Sequence, residues 1–198
     1  LEGIRPTKAR LNSVTELAIG KEGESKEKWD SHVEYLPCKN GLLHIPSRTL
    51  CVHNPDFYFS SGLDFDYDPE ANCPVFKHVL KTTIPEAKTF FQEFAGYCLT
   101  TDTSYEMAIW LYGPPGGGKS TLLIGIQTML GCRGGLLGLE DIERNRFSLS
   151  QLPGKTLVTS FEQPSGKKYA THILNAIISG EPVSVDRKHR ELIIVVPK

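Results

Sequence analysis

The 198-residue chain is 39% hydrophobic and 23% charged, enough apolar material for a buried core, and it reads as one soluble domain plus an appendage. No apolar run approaches membrane-spanning length and no signal peptide opens it, while the start at Leu1-Glu2-Gly3 rather than Met reads as an excerpt of a longer protein. A net charge of −1 hides an asymmetry: residues 1–112 carry 11 Lys and Arg against 16 Asp and Glu (−5), and residues 113–198 carry 11 against 7 (+4), so the second half is the one compatible with a phosphate-bearing partner. The five cysteines are odd in number and lack any Cys-x-x-Cys pair, which argues against a disulfide framework and a zinc site and fits a reducing, cytoplasmic setting.

Helical spacing is predicted over residues 7–19, followed by a charged, glycine-bearing linker over 20–28. The period then changes. Leu36 to His44 carries Lys39-Asn40-Gly41 between short apolar stretches, a hairpin signal, and short strands and turns continue to Pro69. Asp64-Phe65-Asp66-Tyr67-Asp68 fails as a calcium loop, because Pro69 and Val75 stand where glycine and glutamate are needed, and it reads as a solvated turn. The six histidines have no metal-ligand spacing. From Pro85 a helix is predicted whose core face carries Phe90, Phe91, Phe94, Ala95 and Cys98.

Met107 to Tyr112 is an unbroken apolar run, expected to be a parallel strand buried on both faces. It leads into Gly113-Pro114-Pro115-Gly116-Gly117-Gly118-Lys119-Ser120-Thr121, which fills every fixed position of the phosphate-cradling P-loop, Gly-x4-Gly-Lys-Ser/Thr. The glycines let successive backbone N–H groups face a phosphate, and the following helix adds the positive end of its dipole. Lys119 is expected on the β- and γ-phosphates and Ser120 on Mg²⁺, with Thr121 serving the first helical turn; the helix itself is marked by Leu122, Leu123, Ile126, Met129 and Leu130 and stopped by Gly131.

Two further elements carry chemistry. Gly154 to Glu162 reads as a strand ending in a carboxylate, placed to hold Mg²⁺ or activate the attacking water; the competing reading is a solvent-exposed glutamate at a strand end. A helix over Ala170–Ser179, ended by Gly180, precedes a hairpin from Val183 to Val196. Its tip bears Arg187, Lys188, His189 and Arg190, which either track the phosphates of single-stranded nucleic acid or form a solvated turn.

The order of Asn40-Gly41, Asp66-Tyr67-Asp68-Pro69, Cys73-Pro74, the Phe91–Gly96 helix, the loop at 113–121, Arg146-Phe147, Leu152-Pro153-Gly154-Lys155, Glu162, Ser179-Gly180-Glu181-Pro182 and Lys188 resembles the phage/plasmid primase family of superfamily 3 helicases over about residues 34–198. The resemblance implies an α/β fold, an AAA+-like P-loop ATPase core with a parallel sheet preceded by a small mixed α+β domain, with boundaries at 1–33, 34–104 and 105–198. It further implies an ATP- and Mg²⁺-dependent helicase, encoded by a phage or bacterial plasmid, that forms a homo-oligomeric, hexameric ring on single-stranded DNA without membrane contact. Lys119 and Ser120 match its Walker A residues, Glu162 its Walker B acid, and Lys188, beside His189, its DNA-contacting hairpin lysine. Gly117 stands where the family often has Asn, and the family's sensor residue and arginine finger would lie past Lys198. A loader-like AAA+ ATPase, a small-molecule P-loop kinase and a non-catalytic oligomerisation or DNA-docking piece are the competing readings.

Overall fold

The computed structural model describes residues 28–145, 147–161, 169, 171–188 and 191–197. The helix expected over 7–19 and the linker up to residue 27 lie outside the described residues. The N-terminal unit is an antiparallel sheet in the order β1 (Tyr35–Cys38), β2 (Gly41–His44), β3 (Thr49–Cys51). Lys39 and Asn40 form the tight turn that the Asn-Gly signal predicts, and Gly41 already pairs with Cys38. A Cβ at Gly41 would lie 2.4 Å from the Cys51 carbonyl oxygen, so only glycine lets β3 come this close.

Asn40 does more than turn the chain. Its amide nitrogen donates to the Tyr67 carbonyl at 3.0 Å and its oxygen accepts from the Tyr67 N–H at 2.9 Å, so the side chain acts as one more strand rung and clamps residues 66–68 to the hairpin. Leu36, Cys38 and Leu63 form the small core beneath, with Tyr67 and Leu99 packed against it. Asp68 accepts from the Glu70 N–H at 2.9 Å, the local bond of a turn-forming aspartate, and the described residues hold no cluster suited to a metal ion.

Helices follow. α1 (Pro74–Thr83) was not among the elements expected from sequence, although Pro74 sits in its first turn and Phe76, Val79, Leu80 and Thr83 recur on one face. α2 (Lys88–Tyr97) buries Phe91, Phe94 and Ala95 as predicted, with Cys98 just beyond, but Phe90 is exposed: it lies one residue, about 100° of helix, off the core face. α3 (Lys119–Leu130) contributes Leu122, Ile126 and Leu130, and the three helices share one apolar cluster. Burial raises the Cys98 thiol to about 12 and also raises that of Cys38, where the Asp66 carboxylate adds to the effect.

β4 (Gly134–Leu136) and β5 (Leu157–Thr159) pair in parallel, with α4 (Leu139–Arg144) on the crossover between them. α5 (Thr171–Ile178) lays Ile173 and Ile177 on a second cluster built from Leu137, Ile142, Leu149, Leu152, Val183 and Val185. β6 (Val183–Val185) and β7 (Ile193–Val195) form the expected antiparallel hairpin.

The strand expected over Met107–Tyr112 differs from expectation. Among the described residues it pairs with no strand, and it is one-faced rather than buried on both sides. Ile109 and Leu111 pack against the helical cluster, while Trp110 is 68% exposed and Tyr112 fully so. The alternation follows from extended backbone, which sends successive side chains to opposite faces, with helices covering one face alone.

The Phe76 ring of α1 packs on Gly125 of α3, where an added Cβ would fall 2.4 Å from the ring. Gly125→Ala is expected to lower stability by about 1–3 kcal/mol through overpacking. Urea unfolding of the single variant and of the same change on a Phe76→Leu background checks this: the cost shrinks when the ring is smaller, the mark of coupled neighbours.

Candidate functional site

The loop at 113–121 takes the conformation its glycines permit. Gly116 and Gly118 have φ of 74° and 79°, left-handed values that L side chains rarely adopt, and the Gly117 N–H donates to the Pro114 carbonyl at 3.2 Å to close the turn. Gly118 is the N-cap of α3 and brings no side-chain cap with it, so the first-turn N–H groups of Lys119, Ser120 and Thr121 have no intrahelical acceptor. The first helical bond runs from the Leu122 N–H to the Gly118 carbonyl at 3.1 Å. Unsatisfied donors at the positive end of a 12-residue helix are the groups an anion requires.

Lys119 lies over this loop. Its Nζ donates to the carbonyls of Gly113 and Pro114, both at 2.8 Å, which holds the loop curled and leaves one of three ammonium hydrogens for another acceptor. A Cβ placed at Gly113 or Gly116 would meet nothing within 4 Å, so the outer side of the loop is open. Pro114, Pro115, Ser120 and Thr121 are exposed. The inner side is crowded: a Cβ at Gly118 would lie 2.6 Å from the Thr83 hydroxyl at the end of α1, and one at Gly117 3.1 Å from the Pro114 carbonyl oxygen. Thr83 escaped the sequence reasoning because its helix did.

A groove of about 760 Å³ joins this loop to the end of β5. Gly113, Gly116, Lys119 and Ser120 line one part of it, and Thr159, Ser160 and Phe161 another. The structure thus brings the C-terminal end of β5 to the loop, as an open α/β sheet does with its ligand-bearing strand ends. Glu162, the next residue, lies outside the described residues, as does Arg146.

Two residues that sequence reasoning missed fix this arrangement. Gln127 on α3 donates at 2.7 Å to both the Gly135 carbonyl of β4 and the Thr159 hydroxyl of β5, tying the loop-bearing helix to the parallel pair. Arg133, almost fully buried after the end of α3, donates to the Leu99 carbonyl at 2.8 Å, and its own carbonyl accepts from the Thr156 N–H ahead of β5. Burial lowers the Arg133 pKa and the Asp30 carboxylate acts against that fall. A polar residue on a largely apolar helix was the sequence sign for Gln127, and Arg133, past the end of that helix, carried none.

At the far hairpin Lys188 stands exposed in the β6–β7 connection. Arg187 does not project with it: the guanidinium turns back to donate twice to the Glu191 carbonyl at 3.3 Å, bracing the loop instead. His189 and Arg190 lie outside the described residues.

Comparison with known families bears on both halves of the chain. Residues 22–85 match the family described as D5 N terminal like. That match supports kinship with D5-like phage and plasmid primase-helicase proteins and is consistent with a role in DNA replication. Residues 111–198, which begin just before the loop, match a family of unknown function (DUF5906). A comparison with curated proteins found no match. Among the described residues no helix is long and apolar enough to cross a membrane.

Replacing Gln127 with Leu keeps most of the volume but removes the amide donor to the Thr159 hydroxyl and the Gly135 carbonyl, leaving between those two only the long 3.5 Å bond from the hydroxyl to the carbonyl. Gln127→Leu is expected to cost about 1–3 kcal/mol. Urea denaturation followed by circular dichroism measures it.

Proposed function

We propose that this chain is the nucleotide-binding engine of a phage- or plasmid-type replication primase-helicase, an ATP-dependent translocase that works on single-stranded DNA as a homo-oligomeric ring, hexameric by resemblance. The observation that carries this reading is the glycine loop at the N-terminus of α3, with Gly116 and Gly118 in left-handed conformations, three first-turn N–H groups without intrahelical acceptors and Lys119 folded over it. The D5 N terminal like match ahead of the loop adds the replication setting.

The residues present suit a magnesium nucleotide. The N–H groups of Gly116 and of Gly118 to Thr121 would cradle the β-phosphate, and the free hydrogen of the Lys119 ammonium would reach the β- and γ-oxygens. Ser120, exposed at the mouth of the groove, would offer its hydroxyl to the Mg²⁺, whose charge neutralises the phosphates when bound. Glu162, one residue past Phe161 in the groove wall, is assigned as the acid that holds the ion through water or orients the attacking water. The AAA+-like fold with a parallel sheet remains part of this reading, supported by the parallel β4–β5 pair beside α3. Lys188 is assigned to the DNA backbone, with Arg187 shaping the loop that presents it and His189 and Arg190 adjoining it in sequence.

Lys119→Ala is expected to weaken MgATP binding about a hundredfold or more, the cost of a charge-assisted contact, with the fold retained by circular dichroism and only a small drop in melting temperature from the two lost loop hydrogen bonds. Isothermal calorimetry with a non-hydrolysable analogue tests it, and an unchanged affinity refutes the nucleotide assignment.

Lys188→Ala is expected to weaken single-stranded DNA binding uniformly across sequences and to lower the slope of log K against log salt by about 0.7. Fluorescence anisotropy across a salt series checks both.

A further inference from the structure

We propose that Thr83, the last residue of α1, is a positioning residue of the phosphate loop: the fork of its side chain holds Gly118 in place, so the N-terminal unit sets how tightly the loop takes a nucleotide. The inference rests on the nucleotide reading and deepens it.

The loop glycines meet different surroundings. An added Cβ would find nothing within 4 Å at Gly113 and Gly116, and at Gly117 its nearest atoms would be those of Pro114, a residue of the loop itself. At Gly118 the three nearest atoms all belong to Thr83. A Cβ there would lie 2.6 Å from the Thr83 hydroxyl oxygen, 2.9 Å from its methyl carbon and 3.4 Å from its Cβ, so the Gly118 hydrogen on that side points into the fork of a β-branched side chain. Gly118 is also where a stop has most effect, since it is the N-cap of α3, stands just before Lys119 and takes a φ of 79°. A glycine leaves such a conformation freely because no Cβ confines it, and an external steric stop keeps its peptide aimed.

Thr83 is built to act as that stop. Its neighbour Thr82 sends its hydroxyl back to the His78 and Val79 carbonyls at 3.0 and 3.1 Å, the usual arrangement inside a helix, whereas the Thr83 side chain faces the loop. A branched Cβ is stiff at χ1, and the backbone beneath it is anchored: Phe76, Val79, Leu80 and Ile84 pack in the main apolar cluster, and the Ile84 N–H donates to the Leu80 carbonyl at 3.0 Å. Lys119 holds the other arm of the loop through the Gly113 and Pro114 carbonyls. A loop fixed at both arms has less to order when an anion arrives, and affinity rises by that difference. One family match ends at residue 85 and the other begins at 111, so Thr83 and Gly118 belong to different matched stretches and the shape of the loop is set by both.

Isothermal calorimetry with MgADP on the 198-residue chain and its Thr83→Val, Thr83→Ser and Thr83→Ala variants tests the proposal. Val keeps both branches and is expected to bind within about twofold of the unsubstituted chain, while Ala loses about tenfold and Ser falls between them. A second readout needs no nucleotide. The Leu122 amide donates to the Gly118 carbonyl, and its hydrogen exchange by NMR is expected to run about tenfold faster in Thr83→Ala than in Thr83→Val or the unsubstituted chain. Unchanged Leu122 exchange in Thr83→Ala overturns the proposal. So does affinity kept by Ser and lost by Val, because the hydroxyl rather than the fork would then be the acting group. Where the unsubstituted chain binds MgADP, an equal affinity in Thr83→Ala overturns the proposal and leaves the nucleotide reading standing. An unsubstituted chain that binds no MgADP refutes that reading instead, and the Leu122 exchange alone then decides whether Thr83 fixes the loop.

Discussion

One helix sets the geometry of everything else. α3 carries the loop at its first residue, buries Leu122, Ile126 and Leu130 in the main cluster, and reaches both strands of the parallel pair through Gln127. Its dipole is useful only if its N-terminal N–H groups remain unbonded, and its stability therefore comes from packing and side-chain tethers rather than from a cap. The glycines obey the same constraint. Gly118 must take a left-handed turn against Thr83, and Gly125 must lie flat beneath Phe76. Function and packing ask for the same residue type at two places on one helix for different reasons.

Lys119 helps to set the shape of the loop. Its two bonds to the Gly113 and Pro114 carbonyls offset the crowding of oxygen dipoles on the inside of the turn, so the cation that would contact a phosphate already shapes the loop. The groove then extends that polar corner into an apolar corridor along β5.

Much of this was legible in the sequence where residue type dictates backbone. Asn40-Gly41 marked the hairpin, the glycines and Lys119 marked the loop, and the spacing of Phe91, Phe94 and Ala95 marked the face of α2. What stayed hidden depends on partners far along the chain. The Asn40 clamp needs Tyr67, the Gln127 tether needs Thr159, and the depth of Arg133 needs Leu99. Met107 to Tyr112 misled for the same cause: hydrophobicity registers a preference for burial, whereas the number of covered faces depends on which other segments lie alongside. Arg187 misled because charge in a turn reads as solvated, while its guanidinium is occupied by a backbone carbonyl four residues on.

The contacts between α1 and α3 have a consequence for how the protein comes apart. The segment before residue 85 touches α3 at its start through Thr83, at its middle through Phe76, and at its end, where a Cβ on Gly131 would lie 3.2 Å from the Asp64 carboxylate. The two stretches matched by different families therefore share one interface along the whole length of a single helix. Halves joined in this way are expected to melt together. Peeling the first away strips cover from α3 and its loop together, so heat, denaturant or a protease cutting near residue 100 meets one cooperative unit rather than two beads on a string.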